Sequence, residues 1–277
     1  MKFVTNGNGT DNRMHMEQVN PLHFVTQVKF SSDAGVMRYQ CEARMKAYKI
    51  SAAIGLKGKL SEYRFFFLKI IQVSNLIFEK NKVQDYPLNK EVDELSYYFS
   101  AFMNTVQSIK DSVATATGEE FTWKKLSSTY GSFVRYCRNA ITHDGSDLIS
   151  GMRGGVHYIT GPLRRMDNHK KIVEFDPPKE PVDQLCVNFS LEFLSSLDLF
   201  LSEHGEKIPS PGKEDFIESN DLAKTMEFIP CMSRELISQN YEQIINSFDG
   251  HKIELSKEIK DRIGELRELV KAHDKTA

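Results

Sequence analysis

The chain has 277 residues, of which 40% are hydrophobic, 27% charged and 10% aromatic, a make-up that excludes a disordered or fibrous polypeptide. Thirty-six Lys and Arg stand against 38 Asp and Glu, so the net charge of −2 carries no whole-chain basic excess that would advertise nucleic acid. The longest apolar candidate, 65–77, is interrupted by Lys69, Gln72, Ser74 and Asn75, well short of the roughly 18 to 20 apolar residues that cross a bilayer.

The start, Met1-Lys2-Phe3-Val4-Thr5-Asn6-Gly7, turns polar too early for the apolar core of a signal peptide. A cytoplasmic location without a membrane partner is the expectation. Cys41, Cys137, Cys186 and Cys231 form no C-x-x-C pair and no metal-ligand spacing with histidine, so free and mostly buried thiols are expected.

In chain order, residues 1–20 are polar and Gly/Asn-rich. Leu22, Phe24, Thr26, Val28 and Phe30 alternate as in a short strand, and a mixed stretch reaches Ile50, so 1–54 reads as a partly extended N-terminal extension. From about Leu60, the residues Tyr63, Phe67, Ile70, Ile71, Ile77 and Phe78 step by three and four, which predicts a long helix ending near Asn81. Val92, Leu95, Phe99, Phe102, Met103, Val106 and Ile109 predict a second, fading near 114–118. Leu126, Tyr130, Phe133, Val134, Cys137, Ala140 and Ile141 predict a third, stopped at Asp144-Gly145, with Trp123 just before it.

Residues 146–180 lose that period and gain glycines, and the runs 156–160 and 171–175 are β-like, so one inserted hairpin is expected. A fourth helix follows over 182–204. Two more are expected near 233–248 and along Leu255, Ile259, Ile263, Leu266 and Val270, making 206–277 an acidic helical extension. The expected fold is thus mainly α, a four-helix bundle over 55–205 with a hairpin insertion and extra C-terminal helices.

Several chemistries fail for lack of residues. There is no H-E-x-x-H, no EF-hand loop and no G-x-S-x-G, Gly55-Leu56-Lys57-Gly58-Lys59 is too short for a phosphate-cradling loop, and no E-x-x-H pairs supply a di-metal bundle site. No metal and no cofactor is expected. What remains is Arg138-Asn139-Ala140-Ile141-Thr142-His143 at the end of the third helix. Asn139 and His143 lie one turn apart on one face, so the amide can orient the imidazole. His143 occupies the last turn, where the helix dipole favours cationic charge and an imidazole can move a proton near neutral pH. Arg138 is a permanent cation with five donors for a phosphate as charge builds on it. It lies about 140° around the helix from His143 at 100° per residue, so one helix is not expected to aim both at one atom unless its end frays or a second copy contributes.

This R-N-x-x-x-H stretch on the third helix of an α-bundle resembles the HEPN superfamily and its R-x4-6-H motif. The resemblance spans about 55–205. It implies a metal-independent endoribonuclease that dimerises through this helix, uses the RNA's own 2′-OH and leaves a 2′,3′-cyclic phosphate, often as a toxin–antitoxin or antiphage abortive-infection effector with an antitoxin or defence partner. Carried over, Arg138 is the motif arginine, Asn139 the polar residue after it and His143 the catalytic histidine. The tyrosine that is modified in some relatives two residues past the histidine is here Gly145. Two other Arg/His pairs have this spacing, Arg164 with His169 in the expected hairpin and Arg267 with His273 at the fraying C-terminus.

Arg135, one turn before Asn139, is a candidate for an adjacent phosphate, and Arg153, His157, Arg164, Arg165, Lys170 and Lys171 form a candidate RNA-contacting strip along the hairpin. Near-neutrality is an average over opposites: residues 124–171 hold nine Lys and Arg against three Asp and Glu, whereas 172–277 hold 12 against 22. The basic block coincides with the motif, as an RNA-cleaving site requires. The rival expectation is a non-catalytic, dimeric interaction or nucleotide-binding module built on the same bundle.

Overall fold

The computed structural model describes the backbone of residues 34–40 and all atoms of 41–166, 170–212, 240 and 254–274. The chain divides into two compact units at Cys41/Glu42, and the packing below belongs to the unit Glu42–Ala277.

The first helix, α1, runs Ala34–Lys82, far longer than its apolar period announces. Its buried stripe extends back through Leu56 and Ala53 to Ile50. That part is thinned by Ala53 and interrupted by Gly55 and Gly58, while Ala43, Arg44, Met45, Lys46 and Ala47 are strong helix formers that no hydrophobic pattern reveals. The expected mixed stretch before Leu60 is therefore helical from Ala34, and the expected strand over 22–30 lies outside the described residues.

Helix α2, Asn89–Thr117, follows its predicted stripe closely and stops at Gly118. The predicted third helix is two. A four-residue helix, α3, covers Trp123–Leu126, and α4 begins only at Gly131 and ends at Asp144. Ser127 makes the break: it is extended, its hydroxyl donates to Glu192 on the next long helix at 2.6 Å, and the same oxygen accepts the Tyr130 N–H at 2.8 Å. A side chain that satisfies backbone donors outside the helical ladder competes with the helix itself. Gly131 then passes so near α3 that a Cβ there would sit 2.1 Å from the Trp123 carbonyl oxygen.

The insertion is two hairpins, not one. Strands β1 (Gly151–Arg153) and β2 (Val156–Tyr158) pair antiparallel, as do β3 (Leu163–Met166) and β4 (Ile172–Phe175), and the two sheets share no strand. The turn Gly154-Gly155 has φ of 58° and 80°, which lets a two-residue loop close β1 on β2. Run 156–160 thus pairs with the residues before it rather than with 171–175. The second hairpin lies on α4, where the Phe175 ring stacks on Tyr136.

Helix α5, Val182–His204, is apolar on nearly every side. It buries Leu185, Cys186, Val187, Phe189, Phe193, Leu194, Leu197, Phe200 and Leu201. By length and hydropathy alone, 182–207 suffices to cross a membrane, but 56% of its most apolar 18-residue window is buried inside the protein, as expected of a central core helix. Its Phe189 and Phe193 pack with Tyr63 and Phe102 in tilted, edge-on and stacked ring pairs with centroids 4.8 to 6.2 Å apart, each ring contributing about 1.5–3 kcal/mol by burial. The last described helix, α6 (Leu255–Lys271), lays Leu255, Ile259, Ile263, Leu266 and Val270 into the same core. Its charges tie it down through Arg267 to Asp198 of α5 at 2.9 Å and Glu258 to Lys57 of α1. The helix expected near 233–248 lies outside the described residues apart from Asn240, which is helical. The fold is mainly α with two small antiparallel strand pairs.

Candidate active site

Residues 131–144 fold as one amphipathic helix whose inner face, Phe133, Val134, Cys137 and Ala140, is buried. Burial of that face fixes the rotation of the rest, so Arg138 and Asn139 are half-buried at its flank and His143 is exposed at its end. Gly145, left-handed at φ 63°, closes the helix with its N–H on the Ala140 carbonyl, and Ser146 adds a second bond to that oxygen at 3.2 Å. The helix therefore does not fray before His143.

Arg138 and His143 nevertheless meet. Nη1 of Arg138 lies 3.4 Å from Nε2 of His143 and donates to Oδ1 of Asn139 at 3.1 Å. The expectation that five residues of helix would keep the two apart on a single chain is corrected. Angular separation is measured at Cα, and the long arginine stem crosses it by running along the helix toward its C-terminus. The Arg–His contact is a hydrogen bond when Nε2 carries no proton, which leaves Nδ1 as the protonated nitrogen. One guanidinium edge thus aligns the amide and the imidazole. Nε of Arg138, by contrast, is buried without a partner among the described residues.

Two tethers hold the helix end. Oγ1 of Thr142 donates to Oδ1 of Asn104 on α2 at 3.0 Å, and beyond the turn Ser96 donates to Asp147 at 2.9 Å. Neither Asn104 nor Ser96 carries any motif signal, since both contacts join positions far apart in sequence.

The other expected residues separate into groups. Arg135 is exposed on α4, one turn before Asn139. Arg165 on β3 reaches back to α4, with Nε 4.0 Å from Oδ2 of Asp144, next to His143. Its Nε, too, is buried with no hydrogen bond. Arg164 is exposed but bound to Glu174 across the hairpin at 2.6 Å, so its charge is locally matched. Lys170, with φ 59°, and Lys171 are exposed just before β4. Arg153 is exposed at the tip of the first hairpin. His157 departs from the expected RNA-contacting strip: it is only 8% exposed, and burial lowers its pKa, so it presents no cation near neutral pH. Of the two competing Arg/His pairs, Arg267 is engaged with Asp198 and His273 packs on Phe67, while His169 lies outside the described residues.

Buried Cys137 and Cys186 have thiol pKa values pushed up by desolvation, and no thiolate chemistry is expected of either. Among the described residues, no group of three or more His, Cys, Asp or Glu side chains is placed to hold a metal ion. Comparison with protein-family models, with curated proteins and with solved structures finds no match to this chain.

Proposed function

We propose that the chain is a cytoplasmic, metal-independent endoribonuclease of HEPN type that acts as a homodimer through α4, in a toxin–antitoxin or antiphage-defence setting. The observation that supports this most is the alignment of Asn139 and His143 by one guanidinium, at 3.1 and 3.4 Å. In the proposed reaction the Arg138 guanidinium turns from Nε2 of His143 to the phosphate, and that nitrogen, Nδ1 keeping its proton, accepts the proton of the RNA 2′-OH as that oxygen attacks the adjacent phosphorus. Arg138 stabilises the charge that builds on the non-bridging oxygens. The P–O5′ bond breaks and the leaving oxygen takes up a proton, from the same imidazole or from His143 of a second copy. The products are a 2′,3′-cyclic phosphate and a 5′-hydroxyl. Asn139 positions, and Arg135, Arg153, Arg165, Lys170 and Lys171 contact the strand.

Incubating the purified protein with total RNA in EDTA tests this. Cleavage to cyclic-phosphate ends is expected from the wild type, and none from His143→Ala or Arg138→Ala, with thermal melting and oligomeric state unchanged. Intact RNA with the wild type, or equal cleavage by the variants, would leave a non-catalytic interaction module as the better reading.

A further inference from the structure

The outer face of α1 carries large apolar side chains in a regular row. Ile54, Phe65 and Leu76 are 52%, 50% and 44% exposed, and each follows the last by eleven residues, which at 100° per residue is three turns with only about 20° of drift. The three therefore stand in line along one side of the helix, with Phe65 in the middle. At that middle point the row opens into a groove of about 690 Å³ between α1 and α6, whose apolar lining is Leu60, Phe65, Leu68, Leu266 and Leu269. Single exposed apolar residues are ordinary on a surface, whereas an apolar row joined to an apolar groove marks an interaction site. The same groove holds Arg64 of α1 and Glu265 of α6, and neither makes an ion pair or a hydrogen bond among the described residues.

This face is its own complement. Ile54 lies as far before Phe65 as Leu76 lies after it, so a two-fold axis beside Phe65 and perpendicular to α1 sets Phe65 on the partner subunit's Phe65 and Ile54 on the partner's Leu76. Charge selects this antiparallel direction over a parallel one. Glu62 and Lys69 flank Phe65 on the side of the row away from the groove. A parallel pair would set Glu62 on the partner's Glu62 and Lys69 on the partner's Lys69, and like charges repel. The antiparallel pair brings each Glu62 within one residue of register of the partner's Lys69. Their present contacts, Glu62 with Lys59 and Lys69 with Gln72, lie in solvent and contribute little. On the groove side the axis keeps both α6 helices together, and each unpaired Arg64 comes to the side of the partner's unpaired Glu265. Gly58, where a Cβ would meet nothing within 4 Å of its own chain, leaves room opposite the partner's Gln72.

We infer that the outer face of α1 is a two-fold interface on which a second copy of this chain docks antiparallel, centred on Phe65. It is separate from the α4 contact of the ribonuclease reading and does not depend on it; a chain that pairs at both faces builds a larger assembly.

Sedimentation velocity of the full-length protein from low to high micromolar concentration tests this. The wild type should associate, and Phe65→Arg, at an exposed position whose loss leaves the core intact, should halve the associated mass with an unchanged circular dichroism spectrum. Glu62→Lys and Lys69→Glu should each weaken association about fivefold, and the two together should restore it, which no unspecific stickiness does. Ile54→Cys chains mixed with Leu76→Cys chains should cross-link with each other on mild oxidation more than either does with itself. A Phe65→Arg variant with the wild-type mass, a double charge variant as weak as the single ones, or cross-linking of like with like would each overturn this interface and leave the α4 dimer standing. A wild type that is monomeric throughout would overturn both. RNA cleavage is not read, so failure of the ribonuclease reading leaves these outcomes unchanged.

Discussion

Thr142 on α4 donates to Asn104 on α2 at 3.0 Å, one residue before the histidine that ends the motif. This bond, between exposed side chains, tethers the last turn of α4, whose rotation is set by its buried face. Thr142→Val keeps the shape and removes the donor. The expected stability loss is small, about 0.5–1 kcal/mol, but RNA cleavage should fall several-fold with little change in KM, because in the proposed reaction His143 acts on the reacting atoms rather than on binding. Single-turnover rates alongside thermal melts check this; an unchanged rate would show that the tether is structural only.

Asp144 lies 4.0 Å from the Arg165 guanidinium and holds it against α4. Asp144→Asn releases one cation beside the proposed site. RNA binding should tighten, and the slope of log affinity against log salt should steepen by about one, the signature of one more phosphate contact. Arg165→Gln should do the reverse. A 2′-O-methyl oligonucleotide, which cannot be cut through its own 2′-OH, serves as the ligand.

The core contains an asymmetric polar pair. The Tyr63 hydroxyl donates to Oγ of Ser190 at 2.6 Å, and Ser190 in turn donates to the Cys186 carbonyl at 2.5 Å, all fully buried. Burial pushes the Tyr63 phenol far above its ordinary pKa, so it remains a donor throughout the accessible range. Tyr63→Phe leaves Ser190 satisfied and should cost about 0.5–1.5 kcal/mol. Ser190→Ala strands the phenol and should cost about 1–3 kcal/mol. Denaturant unfolding of both variants and of the double variant checks the order, and the double variant should be no worse than Ser190→Ala alone.

Gly131→Ala should be among the most damaging single changes on α4. The new Cβ would meet the Trp123 carbonyl oxygen at 2.1 Å, and a backbone atom cannot move aside as a side-chain tip can. Separating α3 from α4 would also disturb the Ser127–Glu192 bond. A loss of more than about 2 kcal/mol, or failure to fold, is expected, read by melting temperature and by near-ultraviolet dichroism of Trp123.

His157 gives the fold an acid sensitivity. Its pKa is lowered from the ordinary 6.5 by burial, so below about pH 6.5 the unfolded chain binds a proton that the folded chain resists. Its contribution to stability is therefore complete above pH 6.5 and declines as the pH falls from there toward the depressed folded value. Chemical denaturation across pH 5 to 7.5 should show this decline, and His157→Phe should flatten it. A variant with the same pH slope as the wild type would place the titration elsewhere.

Local pattern determined the helices that bury a continuous stripe. Val92 to Ile109 and Leu185 to Leu201 needed only their three- and four-residue steps, because burial of one face is written into consecutive residues. It also placed the Arg138, Asn139 and His143 set on the last two turns before Gly145. What it left undecided are features set by partners far along the chain. The break at Ser127 depends on Glu192, and the pairing of the two hairpins on a glycine turn and on the surface of α4. The early start of α1 rests on helix formers whose outer sides stay in water and so leave no hydrophobic trace. At the site itself, sequence put Arg138 and His143 on different sides of a helix, and only the tertiary structure decided that they touch. Buried packing on one flank sends the arginine stem along the helix, and the Asn104 tether holds the last turn to meet it. The same holds for His157: its sequence context suggested an exposed basic strip, but the close approach of Gly155 to α1 turned it inward and made it neutral.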